Sequence, residues 1–530
     1  MDQKLRDLKL EDQKPAVHGL RHSVWNQDGL QVKYPKLETD ISADVVIIGA
    51  GIAGLSVAYN LAKNGKSVVV LEYRVRGGGN TGRTTAHLMQ WFDDFYSLVE
   101  KAHGEEKTAL VADAQRRCID WVEKIVTEEQ IDCKFSRLDG YLFPHDSSKE
   151  TLELLQKEFE VSKKHGFPVS MVDLSGDPRH GKIVGAIKYP NCAEFHPLMY
   201  IEGLAQAVEK YGGKIYENTR AYTIEAGKVV TDDKKTVRAG AVVMATNSPL
   251  NHDLTIHARQ PPCRTYAIAL KVPKGSVPRS QWWDTLDAYH YVRLEEVPGV
   301  DYDLLIVGGE DTSTGMMAEQ LLNHQPYKKL EDWTRERWTM VGEVTNRWTG
   351  QVFEPVDYLH LIGKEPLRSN DEEVYIVTGD SGQGMTYSAI AGMLITDLIL
   401  RKANSWAKVF NPSRKFPITD KEVASSFGEE VVHTVQAYKD RLPGLGNEPV
   451  DIEDLLPCSG AVIQKGLKKV AVYKDAQGCV HQYSAVCPHM KATVKWNPID
   501  GTFDCPAHGS IFDHSGKVIC GPAKADLSPA

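Results

Sequence analysis

Ala43-Asp44-Val45-Val46-Ile47-Ile48-Gly49-Ala50-Gly51-Ile52-Ala53-Gly54 is the stretch from which the rest of the chain is read. Val45 to Ile48 is apolar on both faces, as a buried parallel strand should be. A helix follows from Leu55 to Asn64, and Lys66 to Leu71 is a second buried strand running into Glu72. Gly49, Gly51, Ala53 and Gly54 permit a tight turn and a close approach of backbone to a pyrophosphate, which sits at the positive helix N-terminus. Glu72 stands where an acid accepts ribose hydroxyls. Strand, glycines, helix, strand and terminal acid together make a dinucleotide fingerprint. The acid disfavours NADP and leaves NAD and FAD open.

The next segment separates those two. Gly77-Gly78-Gly79-Asn80-Thr81-Gly82-Arg83-Thr84-Thr85-Ala86-His87 is a Gly- and Thr-rich loop, read as leading into a helix. It resembles flavoproteins of the D-amino-acid-oxidase superfamily, whose loop packs against flavin and pyrophosphate. On that resemblance Thr81, Gly82, Arg83, Thr84, Thr85 and His87 are FAD-site residues. Ala241 to Pro249 resembles the family strand that ends beside the cofactor, and Arg347 to Gly363 the stretch that enters the last FAD segment. Val377-Thr378-Gly379-Asp380-Ser381-Gly382-Gln383-Gly384-Met385-Thr386 opens an apolar helix. In the family that turn faces the ribityl chain and the flavin pyrimidine, so Gly379, Asp380, Gly384, Met385 and Thr386 join the expected site. Backbone N–H groups there can stabilise negative charge on the ring.

Thr84-Thr85-Ala86-His87 also resembles the loop that carries covalently attached FAD in the dimethylglycine and sarcosine dehydrogenase branch. Ala86 replaces that branch's Trp. A histidine near the cofactor without a bond is the alternative.

Near the C-terminus stands a second motif: Cys487-Pro488-His489, then Cys505-Pro506-Ala507-His508-Gly509-Ser510. Each loop pairs one thiolate with one imidazole. A Rieske [2Fe–2S] cluster needs two Cys on one iron and two His on the other. A structural Cys₂His₂ zinc site is the alternative, though Pro inside both ligand loops is unusual there. Strands at 460–463, 469–473 and 480–486 lead to the first loop, and 494–497 and 502–504 to the second. The last 80 residues thus resemble a complete Rieske domain, with Gly521-Pro522-Ala523 as the loop over the cluster and Cys487, His489, Cys505 and His508 as ligands. High-potential members add a disulfide between the loops and a Tyr that bonds a ligand sulfur. Here Ala492, Ala507 and Phe512 stand at those places, and Ser510 remains. Fewer hydrogen bonds to sulfur predict a low potential, roughly −150 mV.

Between the two motifs, Trp91 to Lys164 carries helical spacing, interrupted by a hairpin over Lys134 to Pro144 with its turn at Asp139-Gly140. His196-Pro197 opens a helix. Thr265 to Val272, His290 to Leu294 and Tyr302 to Val307 read as the substrate sheet. His290, Arg293, Glu310 and Asp311 are its candidate catalytic residues, and the acidic pair would suit a cationic amine. Asn404 to Pro449 reads as a linker with one helix near Asp420 to Ser426.

The chain has 530 residues, 42% apolar and 25% charged, with net charge −9 from interspersed charges. These values suit a globular protein and argue against a nucleic-acid partner. No apolar run reaches the roughly 20 residues of a membrane helix, and Met1 to Asp40 lacks a signal-peptide core. Nine cysteines do not make a disulfide framework, so a reducing, cytoplasmic location is expected. The expected fold is α/β: a Rossmann-type FAD-binding domain, a mixed-sheet substrate (cap) domain and a small all-β Rieske domain. The expected map is an N-terminal arm 1–40; FAD domain 41–95, 190–260 and 341–403; cap 96–189 and 261–340; linker 404–450; Rieske domain 451–530. The resemblance implies an FAD- and [2Fe–2S]-dependent oxidoreductase. It would oxidise an amine or amino-acid-like substrate and pass electrons from FAD through the cluster to an external carrier such as a ferredoxin or cytochrome. The alternatives are a flavoenzyme charged through the cluster by a ferredoxin or reductase, and a non-catalytic redox sensor.

Overall fold

The computed structural model describes residues 22–26, 30–251, 254–369, 371–442, 445 and 450–530. Much of the expected arm, and six residues near the end of the expected linker, lie outside that set.

The fingerprint strand Ile41–Ile48 is the middle of an eight-stranded sheet. It pairs in parallel with Val68–Leu71 on one side and Thr236–Met244 on the other. Val374–Thr378 continues the sheet in parallel, and Leu361–Lys364 closes that edge antiparallel. The apolar runs are continuous because both faces are buried: helices Ile52–Lys63 and Gly384–Ile399 cover Val45 and Ile47, and Leu37, Ala221, Val229 and Ile256 cover Val46 and Ile48. Gly54 is needed for that packing: a Cβ there would stand 2.0 Å from the Gly49 carbonyl oxygen.

The second sheet has nine strands and reaches further than the sequence suggests. Its strands Pro262–Pro273, Tyr291–Glu295 and Tyr302–Ser313 match the expected substrate sheet, and Gln281–Asp284, Ser136–Phe143 and Gly185–Glu194 extend it. Val344–Phe353 forms its far edge, antiparallel to Pro262–Pro273. The expected hairpin at Lys134 to Pro144 is absent. Ser136–Phe143 runs straight through Asp139-Gly140, between Gln281–Asp284 and Gly185–Glu194. Gly140 serves close approach rather than a turn, since a Cβ would stand 2.4 Å from the Trp283 ring. The Gly- and Thr-rich loop also ends differently from expectation. It passes into a short strand, His87–Leu88, paired with Gly185–Glu194, and not into a helix.

The linker helix is longer than expected, Lys421–Lys439, capped by the Asp420 carboxylate, which accepts from the Glu422 and Val423 amides. Its buried residues, Val423, Glu430 and Ala437, recur only every seventh position. So narrow a stripe leaves little periodicity to read. Ala437 packs into the C-terminal core, and Lys495 pairs with Asp440 at 2.5 Å. Two antiparallel sheets follow: Ser459–Lys465, Lys468–Lys474 and Val480–Ser484; then Lys495–Asn497, Thr502–Asp504, Ile511–Asp513 and Val518–Cys520. No helix among the described residues is long and apolar enough to cross a membrane.

Candidate functional site

A cavity runs from the fingerprint turn, between the two main sheets, to the C-terminal domain. Gly49, Gly51 and Ala53 form its floor, with Glu72 and Arg74 beside them. Gly49 has φ +104°, and a Cβ there would meet the Ala245 carbonyl oxygen at 2.4 Å, so only glycine fits. The Glu72 carboxylate accepts from the Ala50 and Arg74 amides at 2.9 and 3.0 Å, which fixes it at the end of its strand. Burial raises its pKa.

Thr81, Arg83, Thr84, Thr85 and His87 line the next part of the cavity. The loop is pinned from outside: Ser23 Oγ donates to the Gly82 carbonyl and Trp25 Nε1 to the Thr84 carbonyl, each at 2.6 Å. Gly82 itself lies behind the lining, close under the Gly77 carbonyl. Arg83 Nη1 donates to the Gly78 and Gly79 carbonyls at 3.0 and 2.9 Å. Its Nε is buried without a partner among the described residues, as is the Ser248 hydroxyl. Burial draws the Arg83 pKa down to about 10. An unmatched buried guanidinium at a dinucleotide turn is what a diphosphate would complete. These residues therefore fit FAD. Asp380, Gly384 and Met385 line the far wall. Gly379 and Thr386 support it from behind: Gly379 packs on Pro355, and the Thr386 hydroxyl accepts from the Met89 amide at 3.3 Å.

Both ring nitrogens of His87 are used inside the protein. Nε2 donates to the Val292 carbonyl at 3.1 Å, and Nδ1 accepts from the Thr85 hydroxyl at 3.0 Å. Burial, reinforced by Arg293, pushes its pKa down to about 3.

The four candidate catalytic residues do not converge on the cavity, although His290 and Glu310 meet outside it. His290 lies outside the lining, stacked 4.3 Å from Trp333, with Nδ1 2.8 Å from Asp284 and Nε2 3.3 Å from Glu310. Glu310 also pairs with Lys329. Arg293 is buried against Glu194 and Glu295 and donates to the Ala86 carbonyl at 3.1 Å, so it props the Gly- and Thr-rich loop. Only Asp311 reaches the cavity, and its Oδ1 is buried without a partner among the described residues. Burial raises its pKa to about 7.

Sequence reasoning missed its acidic company. Asp93 and Glu354 also line this end. Asp93 accepts from Tyr289 Oη at 3.1 Å and from Gln383. The Ser381 hydroxyl lies 2.6 Å from Asp94 and 2.8 Å from Glu354. Burial and mutual repulsion push Asp93 and Glu354 well up, and burial takes Asp94 to about 7. The acids come from separate segments, so no local spacing announces them. Trp283, Tyr289 and Tyr291 add aromatic surface beside these acids.

The four residues of the second motif come together as two pairs. Among the described residues no three His, Cys, Asp or Glu side chains converge as one ion's ligands. Instead the buried Cys487 and Cys505 lie sulfur to sulfur, and the His489 and His508 rings stand 5.2 Å apart. Two thiolates facing two imidazoles suit a two-iron cluster and not a single zinc. His489 Nε2 donates to the Asn251 carbonyl at 3.0 Å, the usual support of a ligating histidine.

Asn251 belongs to the segment that follows the cofactor-sheet strand Thr236–Met244, so the ligand histidines face the cavity domain. His257, on the same segment, has its ring 5.1 Å from His489 and 4.8 Å from His508. The docking is fixed by charge. Arg264, on Pro262–Pro273, donates through Nη2 to Asp504 at 2.9 Å and through Nε at 3.2 Å, and lies 3.5 Å from Asp500. Asp504 immediately precedes Cys505. Gln351 Nε2 donates to the Gly509 carbonyl at 2.7 Å.

Residues 44–398 match the family described as FAD dependent oxidoreductase (DAO), and residues 452–529 match the Rieske [2Fe-2S] domain. A Rieske 2Fe-2S iron-sulfur protein of Bacillus subtilis, YhfW, is 29% identical, covering 94% of this chain and 96% of its own. The γ-glutamylputrescine oxidoreductase of Escherichia coli is 25% identical over 72% of this chain and 90% of its own. Glycine oxidase from Geobacillus kaustophilus has the same fold over 71% of this chain and 99% of its own, with a TM-score of 0.56 at 18% identity.

Proposed function

We propose a function for this chain from one premise: it belongs to the FAD dependent oxidoreductase family over residues 44–398 and carries a Rieske [2Fe–2S] domain over residues 452–529. It is an FAD-dependent oxidoreductase with a [2Fe–2S] cluster. The reading adds that it oxidises an amine and sends the electrons from FAD through the cluster to an external one-electron carrier, such as a ferredoxin or cytochrome. The observation that carries this is the docking of His489 and His508 against Asn251 and His257, on the segment whose Leu250 lines the cofactor cavity.

FAD, when bound, accepts a hydride equivalent from a carbon beside nitrogen and can give up electrons singly. The chain's residues prepare the substrate. Asp311, Asp93 and Glu354 supply buried acceptors for an ammonium group, and Asp311 Oδ1 can take its proton. Trp283, Tyr289 and Tyr291 cover the apolar part and keep water away. Among the described residues, the Arg and Lys side chains lining the cavity are Arg74, Arg83, Arg220 and Lys524, and these group around Glu72 and the Gly-rich loop. The acidic end therefore has no cation for a carboxylate. That favours an amine without a neighbouring carboxylate over an amino acid, and the γ-glutamylputrescine oxidoreductase relative supports the same choice.

The test is an anaerobic substrate screen that follows flavin absorbance and the reduced-cluster EPR signal. Alkyl amines should bleach the flavin and raise the EPR signal. Bleaching by amino acids alone would overturn the substrate class. Bleaching without the EPR signal would overturn the route. Electron flow in the opposite sense would leave both centres oxidised with every amine.

A further inference from the structure

The cofactor cavity is not made by the FAD-family domain alone. Val518, Ile519, Cys520, Gly521, Ala523 and Lys524, all in the Rieske domain, line it. The same segment touches the cluster loop on its other side, where the Ala523 amide donates to Ser510 Oγ at 3.0 Å.

Its place along the cavity is set by hydrogen bonds. The Thr219 amide donates to the Glu72 carbonyl at 2.8 Å, and Arg220 Nη1 donates to the Lys524 carbonyl at 3.1 Å. The segment therefore sits over the end that holds Glu72, the acid placed for a ribose, and away from Asp311. The charge there is unbalanced. Arg220 stacks 3.8 Å from the Tyr73 ring and reaches Asp526 at 3.6 Å, yet its Nε is buried without a partner. Lys524 is more than half-buried, burial lowers its pKa, and no carboxylate among the described residues pairs with it. Arg83, whose Nε is also unmatched, lies near Cys520 of the same segment. Arg74, Arg83, Arg220 and Lys524 outnumber Glu72 and Asp526 here, and burying cations with too little counter-charge is costly, so this end is built for an anion that both domains share.

We propose that the Rieske domain supplies part of the FAD site: Val518–Lys524 closes over the adenosine diphosphate half of the cofactor, and Lys524 acts with Arg220 and Arg83 on its diphosphate. Cofactor binding and domain docking then form one equilibrium. FAD holds the cluster domain in place, and the docked domain slows release of FAD. This rests on the FAD site alone and not on the direction of electron flow.

The test is reconstitution of the full-length, cluster-loaded apo-protein with FAD and, separately, with FMN, which lacks the adenosine half. Lys524→Glu should weaken FAD binding by about tenfold or more, the scale of a charge-assisted contact. Lys524→Met should weaken it less, and FMN, which keeps one of the two phosphates, should weaken less than FAD in either variant. The cluster's EPR spectrum shows that the domain remains folded. On the unaltered chain, hydrogen exchange in 518–524 should slow when FAD binds. The proposal is overturned if both variants bind FAD within about twofold of the unaltered chain, if FMN weakens equally, or if exchange in the segment ignores FAD. A failed amine screen would leave these outcomes unaffected, so the two readings fail separately.

Discussion

Replacing Arg264 with methionine should uncouple the two redox domains. Arg264, Asp504 and Asp500 are 1%, 1% and 2% exposed, so their charges are out of water. The guanidinium meets Asp504 through Nη2 and Nε and lies near Asp500. Removing one partner of a buried pair costs about 3–5 kcal/mol, because the other charge is left uncompensated. Asp504 keeps the Thr502 hydroxyl at 2.7 Å and Asn497 Nδ2 at 3.0 Å, so its lone pairs are partly satisfied and the lower end applies. Arg264 sits on the cavity side and both aspartates in the Rieske domain. The loss therefore falls on docking more than on either domain's own fold. About 3 kcal/mol is roughly a hundredfold in the docked fraction. The assay is stopped-flow reduction by an amine, with flavin and cluster followed separately. Flavin reduction should keep its rate, and cluster reduction should become slow and incomplete. Pairing Arg264→Met with Asp504→Asn should recover part of the loss, since the stranded charge is reduced. A single variant that costs under about 1 kcal/mol in denaturant unfolding and reduces its cluster at the normal rate would refute the reasoning.

Asp311, raised to about 7, is neutral below that pH and charged above it. Its neighbours pull in both directions: His290 lowers the pKa, and Asp287 and Glu310 raise it. A quaternary ammonium ligand, whose own charge does not titrate, should bind more tightly as pH rises through about 7, and Asp311→Asn should flatten that profile; a rising profile that survives the substitution would contradict the assignment. The folded apo-protein holds this proton where the unfolded chain has lost it, so stability should fall as pH rises from the ordinary carboxylate range to about 7. The cluster should titrate near the low end of the Rieske range, roughly −150 mV, and Phe512→Tyr should move it upward; a value above about +100 mV would contradict this. FAD should be released fully on denaturation, because both His87 nitrogens already bond Thr85 and Val292. Flavin retained on the unfolded chain would show a covalent bond instead.

What could be read from the sequence was local. The glycine turn, its flanking strands and Glu72 lie within thirty-odd residues, and each ligand loop pairs its Cys and His within four. What could not be read depends on residues that only folding brings together. Asp93, Asp311 and Glu354 meet from three segments with no shared spacing. Arg264 reaches Asp504 from another domain. His290, Arg293 and Glu310 had the chemistry of an active site, but buried partners hold them outside the cavity. Asp139-Gly140 carried a turn's composition, and Gly140 is small because the Trp283 ring lies against it. Weak periodicity hid most of the linker helix's length, because its buried face is one residue wide per two turns.

The central claim is that one chain joins amine oxidation at FAD to a one-electron cluster. Anaerobic titration of the fully loaded chain with a reactive amine tests it most directly, with flavin absorbance and cluster EPR read on the same samples. The account predicts an uptake of about three electrons per chain, two at FAD and one at the cluster, with the EPR signal rising as the flavin bleaches. Flavin that bleaches after about two electrons while the cluster stays oxidised would contradict it.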